Sequence, residues 1–176
     1  MKTSVIGTFS VALLLGLASI ANAQLKAGSP ELAAYEKIDA EKNSDARLAL
    51  LLEYEKQYAE VSPRVLSNIC LMAMDIYSEK DDKAKIAEYG DKAIAKDPEN
   101  VSALLRVSRN YAAEQTNLDK ALEYAEKAKM LIETMRSQPV PVGTTEAQYK
   151  QWLDANAQSA DQYSSYARTL LISLRQ

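Results

Sequence analysis

The side chains that most enzymes rely on are scarce in this chain. It has no histidine and one cysteine, Cys70. Without imidazole it lacks the usual general base near neutral pH and the commonest nitrogen ligand for a metal. A lone thiol can neither close an internal disulfide nor complete a cysteine metal set. Cys70 sits in the apolar run Ile69-Cys70-Leu71-Met72, a setting that favours a buried, inert thiol over a free reactive one or an intermolecular bridge. No glycine-rich phosphate loop is present. Glu53, Glu55 and Glu60 read as a solvated helix face rather than a catalytic pair. The expectation is a protein that is not an enzyme and carries no cofactor and no metal. Recognition chemistry remains. Arg106 and Arg109 fall one helical turn apart, and two guanidinium groups at that spacing can hold a carboxylate of a partner. The favoured alternative is that they pair with Asp75 and Glu79 of a neighbouring helix.

The rest of the chain has to position those groups. Its 176 residues are 47% apolar and 26% charged, enough for one modest folded domain and too apolar for a disordered chain. Five glycines and five prolines leave little turn chemistry for a β-protein. A net charge of −3 supplies no basic surface for nucleic acid.

The first 23 residues read as an export signal. Lys2 gives a positive start, Val11 to Leu17 an apolar stretch, and Ala21-Asn22-Ala23 a small-residue cleavage site with Gln24 as the new terminus. The apolar stretch is short for an uncleaved anchor. No cysteine stands at the cleavage site, where Gln24 follows Ala23, so no lipoprotein anchor is expected. The predicted mature protein has no membrane span and lies in a bacterial periplasm or outside the cell.

Helix punctuation is clear beyond the signal. Ser29-Pro30-Glu31 opens a helix to about Lys42; Asn43-Ser44-Asp45 opens a second, to about Glu60. Ser62-Pro63 starts a third, apolar on nearly every side from Ile69 to Tyr77, so buried between neighbours. A fourth spans about Lys83 to Lys96 and stops at Asp97-Pro98. A fifth is expected from about Glu99 to Glu114 and a sixth from Leu118 to Arg136. Gln138 to Gly143, with its alternating prolines, is an extended spacer. Thr145-Glu146-Ala147-Gln148 is a capping box opening a long last helix.

The chain repeats itself. Glu88-Tyr89-x-x-Lys92-Ala93 returns as Glu123-Tyr124-x-x-Lys127-Ala128, 35 residues later. A period of that length marks helical hairpins that must pile together to bury their apolar faces. Residues 67–135 resemble two tetratricopeptide repeats (TPRs). From Ser67, the family's apolar, small and aromatic positions hold Cys70, Ala73, Met74, Tyr77, Ile86, Ala93 and Pro98. From Val101 they hold Leu104, Val107, Ser108, Tyr111, Ala121 and Ala128, with one residue inserted near Thr116. Met74 and Ile86 are larger than the family's usual small residues. Tyr163, Tyr166, Ala167 and Leu170 have the spacing of a third first-helix, whose second helix is missing.

The resemblance implies an all-α fold: a short right-handed α-solenoid of antiparallel helix hairpins, about seven helices in all. Its parts would be a signal peptide (1–23), a leading hairpin (24–62), two TPR-like repeats (63–100 and 101–137), a linker (138–145) and a long terminal helix (146–176). It also implies a non-enzymatic protein-interaction scaffold that binds a peptide or partner helix in its concave groove. By family position the groove residues would be Asn68, Leu71, Met72, Asp75 and Glu79, and Ser102, Leu105, Arg106, Arg109 and Ala113. The chaperone-tail clamp of some members needs lysine and asparagine where Leu71 and Asp75 stand, so that role is not implied. The rival class is a permanent structural subunit of an envelope or secretion complex, self-associating as a homodimer through the terminal helix. That helix could also be a simple cap or the end of a truncated array.

Overall fold

A computed structural model describes residues 25–174; the export signal read at 1–23 lies outside them. The described residues form seven helices and no strand: α1 Pro30–Ala40, α2 Ser44–Gln57, α3 Pro63–Glu79, α4 Lys83–Lys96, α5 Val101–Ala113, α6 Leu118–Arg136 and α7 Glu146–Ser173. The protein is all-α. None of these helices is long and apolar enough to cross a membrane.

Most helices start where a side chain can take up a free backbone N–H. Ser29 Oγ accepts from the Leu32 N–H with Pro30 at the first position of α1. Asn43, Asp82 and Asn100 do the same for α2, α4 and α5. Thr145 and Gln148 close a capping box on α7. Three ends differ from the expected ones. Helix α1 stops at Ala40 because Glu41 turns extended, and its carboxylate accepts the Asn43 N–H at 2.8 Å. Helix α2 stops at Gln57, where the Tyr58 ring leans on Tyr54 with centroids 4.8 Å apart. Helix α5 starts at Val101, not Glu99, because Asn100 is its cap.

The turns after α3 and α5 are built alike. Asp81 and Gln115 both take left-handed φ, +55° and +53°. The Asp82 N–H reaches back to the Tyr77 carbonyl at 3.0 Å, and the Thr116 N–H to that of Tyr111 at 2.9 Å. This closure satisfies carbonyls that the helix end would otherwise leave open. The residue inserted near Thr116 appears as Asn117, a second left-handed position at φ +46°.

One apolar cluster runs from Tyr35, Ile38, Leu51 and Tyr54 through Ile69, Met74 and Tyr89 to Val107 and Tyr111. A second joins Leu104 and Leu105 to Ile132, Leu153 and Ala160. Helix α3 contributes buried residues around most of its circumference, from Val65 to Ile76. Ala93, Ala121, Ala125 and Ala128 are fully buried, and such small residues let helices approach closely. Tyr89 is buried and Tyr124 half-buried. Gly90 marks the tightest approach: a Cβ there would stand 3.2 Å from both Val107 methyls and 3.4 Å from the Met74 sulfur. Gly90→Leu is therefore expected to cost about 2–3 kcal/mol by overpacking. Gly90→Ala should change little, because its gain in helix propensity offsets the small shift required of Val107. Urea unfolding of both variants checks this; equal midpoints for Gly90→Leu and the parent would refute the close approach.

Polar ties cross the helix junctions. Asn100, 2% exposed, donates to Ser67 Oγ at 2.9 Å and Asn68 Oδ1 at 3.0 Å. Ser67 in turn donates to the Ala93 carbonyl at 2.8 Å. Arg64 pairs with Asp97, and Lys80 with Asp45. Asp91 accepts from Tyr111 at 2.8 Å and Lys120 at 3.0 Å. Along α6 and α7, Arg136 meets Asp154, Lys129 meets Asp161 and Glu126 meets Arg168. That order makes the two helices antiparallel.

Candidate functional site

The residues singled out for recognition lie on α3 and α5, which touch each other. The structure sorts them into two groups. Asn68, Leu71, Ser102 and Leu105 are buried, at 7%, 1%, 7% and 3% exposure. Expected to line an open groove, they serve the interior instead. Leu71 joins the cluster that includes the α1 and α2 side chains. Leu105 packs in the cluster that holds Leu153, Ala160, Trp152 and Tyr163 of α7. Asn68 accepts the hydrogen bond from Asn100.

Met72, Asp75 and Arg106 are half-buried, and Glu79, Arg109 and Ala113 are exposed. The Arg106 guanidinium pairs with the Asp75 carboxylate, tying α5 to α3. Burial pushes Arg106 down to about 10, and Arg109 next to it pushes the same way. It stays protonated at neutral pH, and Asp75 balances its charge. Glu79 does not meet Arg109; it accepts from the Ser44 hydroxyl at 3.0 Å. Arg109 forms no ion pair among the described residues, so its guanidinium donors face water. The face thus presents one neutralised pair, one free cation a turn away and a partly exposed methionine. It can hold a carboxylate next to an apolar group.

A cleft of about 280 Å³ between α4 and the end of α5 is lined by Lys83 and Glu114, which neutralise each other at 2.6 Å. No group of three or more histidine, cysteine, aspartate or glutamate side chains among the described residues could hold a metal ion. Cys70 is fully buried, and burial pushes its thiol up to about 12. It is therefore almost wholly un-ionised at neutral pH and a poor nucleophile.

The sequence reading did not anticipate Asn100 as a junction residue. Its one visible signal was an asparagine just ahead of an apolar run, the mark of a cap. No family model matches this chain, and no curated protein matches it.

Proposed function

We propose that this protein is a non-enzymatic interaction scaffold of the bacterial envelope. In this reading its helices form a short TPR-like solenoid, and its α3–α5 face binds an extended polypeptide through an acidic side chain. Three likenesses between successive hairpins support the repeat. The turns after α3 and α5 close by the same hydrogen bonds. Tyr77 and Tyr89 lean together with centroids 5.2 Å apart, and Tyr111 and Tyr124 do so at 6.5 Å. Their interplanar angles are 34° and 31°. Ala93 and Ala128 are both fully buried where the repeat wants small residues. The pattern at residues 1–23 supports export to the periplasm or beyond.

The observation that carries the binding reading is Arg109. It is exposed and without an ion pair, one turn from an arginine that already has its acid. A partner carboxylate would meet a positive group with no desolvated competitor beside it.

Binding of labelled acidic, neutral and basic peptides, read by fluorescence anisotropy, tests this. The parent should prefer acidic peptides. Arg109→Glu should weaken that binding about tenfold or more without changing the melting temperature, because the side chain is exposed. Equal binding by parent and variant, or no preference for acidic peptides, overturns the assignment.

A further inference from the structure

The cleft between α4 and the end of α5 holds a buried polar group that the fold does not use. Asn110 lines this cleft and is 9% exposed. Its Nδ2 is buried and has no hydrogen-bond partner. A donor left so is costly, and native folds keep few of them. Packing does not call for asparagine there. Tyr77 and Tyr111 hold the same place in successive hairpins, so the counterpart of Asn110 is Ile76. Ile76 is buried in the apolar core. The earlier hairpin is served by a hydrocarbon where the later one carries an amide.

The surroundings of that amide suit neither an ion nor a lone water. Lys83 and Glu114 on the wall neutralise each other at 2.6 Å. The Tyr111 hydroxyl is already given to Asp91 at 2.8 Å. Ala84 and Ala87 supply apolar wall. Thr116 and Asn117 close one end and are exposed, so water already serves them. The volume is about 280 Å³. A water needs about 10–15 Å³ and two to four polar partners. One water on Asn110 would leave most of the space empty and find few other partners.

We propose that this cleft binds one uncharged, apolar residue of a polypeptide ligand. The main-chain carbonyl of the guest accepts from Asn110 Nδ2, the amide turning toward it. The side chain of the guest lies against Ala84, Ala87 and Tyr111. Each requirement has its source in the wall. The orphaned donor asks for an acceptor oxygen. The self-neutralised ion pair gives a charged guest nothing to repay its lost hydration. The two alanines leave room for an apolar branch. The site is separate from the α3–α5 face. A protein that takes a neutral guest here and shows no preference among acidic and basic peptides keeps this site and loses that one.

Titration with N-acetyl-leucine amide, followed by proton–nitrogen correlation NMR, tests this. A guest of this size should bind with a dissociation constant of about 1–10 mM. The Asn110 side-chain amide should shift as it gains an acceptor, together with the main-chain amides of Ala84 and Ala87. N-acetyl-glycine amide, which lacks the apolar branch, should bind at least about threefold more weakly. Asn110→Ile removes the donor and restores the residue type of the earlier hairpin. It should unfold at no lower urea concentration than the parent and bind the leucine probe at least about fivefold more weakly. Ala84→Trp, at an exposed position, should block the cleft and abolish the shifts in a folded protein. A parent whose Asn110 amide stays unmoved at about 50 mM probe overturns the inference. So does either variant binding the probe as well as the parent.

Discussion

Tyr111→Ala is expected to destabilise the fold by about 4 kcal/mol, the upper range for emptying a large buried site. Tyr111 is 2% exposed and fills the space where α4, α5 and α6 meet. Its ring lies 6.5 Å from that of Tyr124. Its hydroxyl donates to Asp91 Oδ1 at 2.8 Å and sits 3.4 Å from the Ala87 carbonyl. Burial, with Asp91 accepting its proton, holds the phenol well above its ordinary range, so it stays neutral and keeps donating. Tyr111→Phe separates the two contributions. It keeps the ring and loses the hydroxyl, while Asp91 retains Lys120 at 3.0 Å, so about 1 kcal/mol is expected. In a domain of this size a loss of 4 kcal/mol lowers the melting temperature by about 10 °C. Urea unfolding of the two variants decides the matter. If alanine and phenylalanine cost the same, the ring is not the source of the stability.

Asp75→Ala is the second large effect. It leaves the Arg106 guanidinium without its acid, beside Arg109, with the Arg106 side chain only 14% exposed. Orphaning a fully buried charge costs about 3–5 kcal/mol. Asp75 itself is 37% exposed, so water already screens the pair, and about 2 kcal/mol is the discounted expectation. Arg106→Met, which removes the charge and keeps much of the volume, should cost less than about 1 kcal/mol. The double variant should then be more stable than Asp75→Ala alone. A double-mutant cycle in urea measures the coupling; additive costs would mean that the pair contributes nothing to stability.

Most helix limits were legible because they rest on local chemistry. Pro63, the Asp97-Pro98 pair and the Thr145–Gln148 box act within one turn, so their meaning survives any tertiary context. The misplaced ends rest on contacts just as local, but made by side chains outside the capping motifs. Glu41 reaches the Asn43 N–H and Tyr58 leans on Tyr54, and a periodicity argument registers neither. The repeated tyrosines marked Tyr89 and Tyr124 as equivalent but not their unequal burial. That depends on what packs outside each ring.

The candidate face was legible only in part. The helical spacing of Arg106 and Arg109 follows from sequence. The fate of Leu71 and Leu105 does not, because it depends on how far α1, α2 and α7 extend over α3 and α5. The alternative pairing of Arg106 with Asp75 was visible as an option, and the geometry takes it. The expected pairing of Arg109 with Glu79 is not formed; Glu79 accepts from Ser44 of α2.

The polar ties between helices join residues close in the chain. Among the described residues the longest spans 42 positions, from Glu126 to Arg168. Ser44 to Glu79 and Arg64 to the Glu99 carbonyl each span 35. A molecule knitted this way has little loop entropy to surrender before contacts begin to reward it, so it should fold fast. Under a pulling force it should unravel from its tips one hairpin at a time, like a zip, and not rupture all at once.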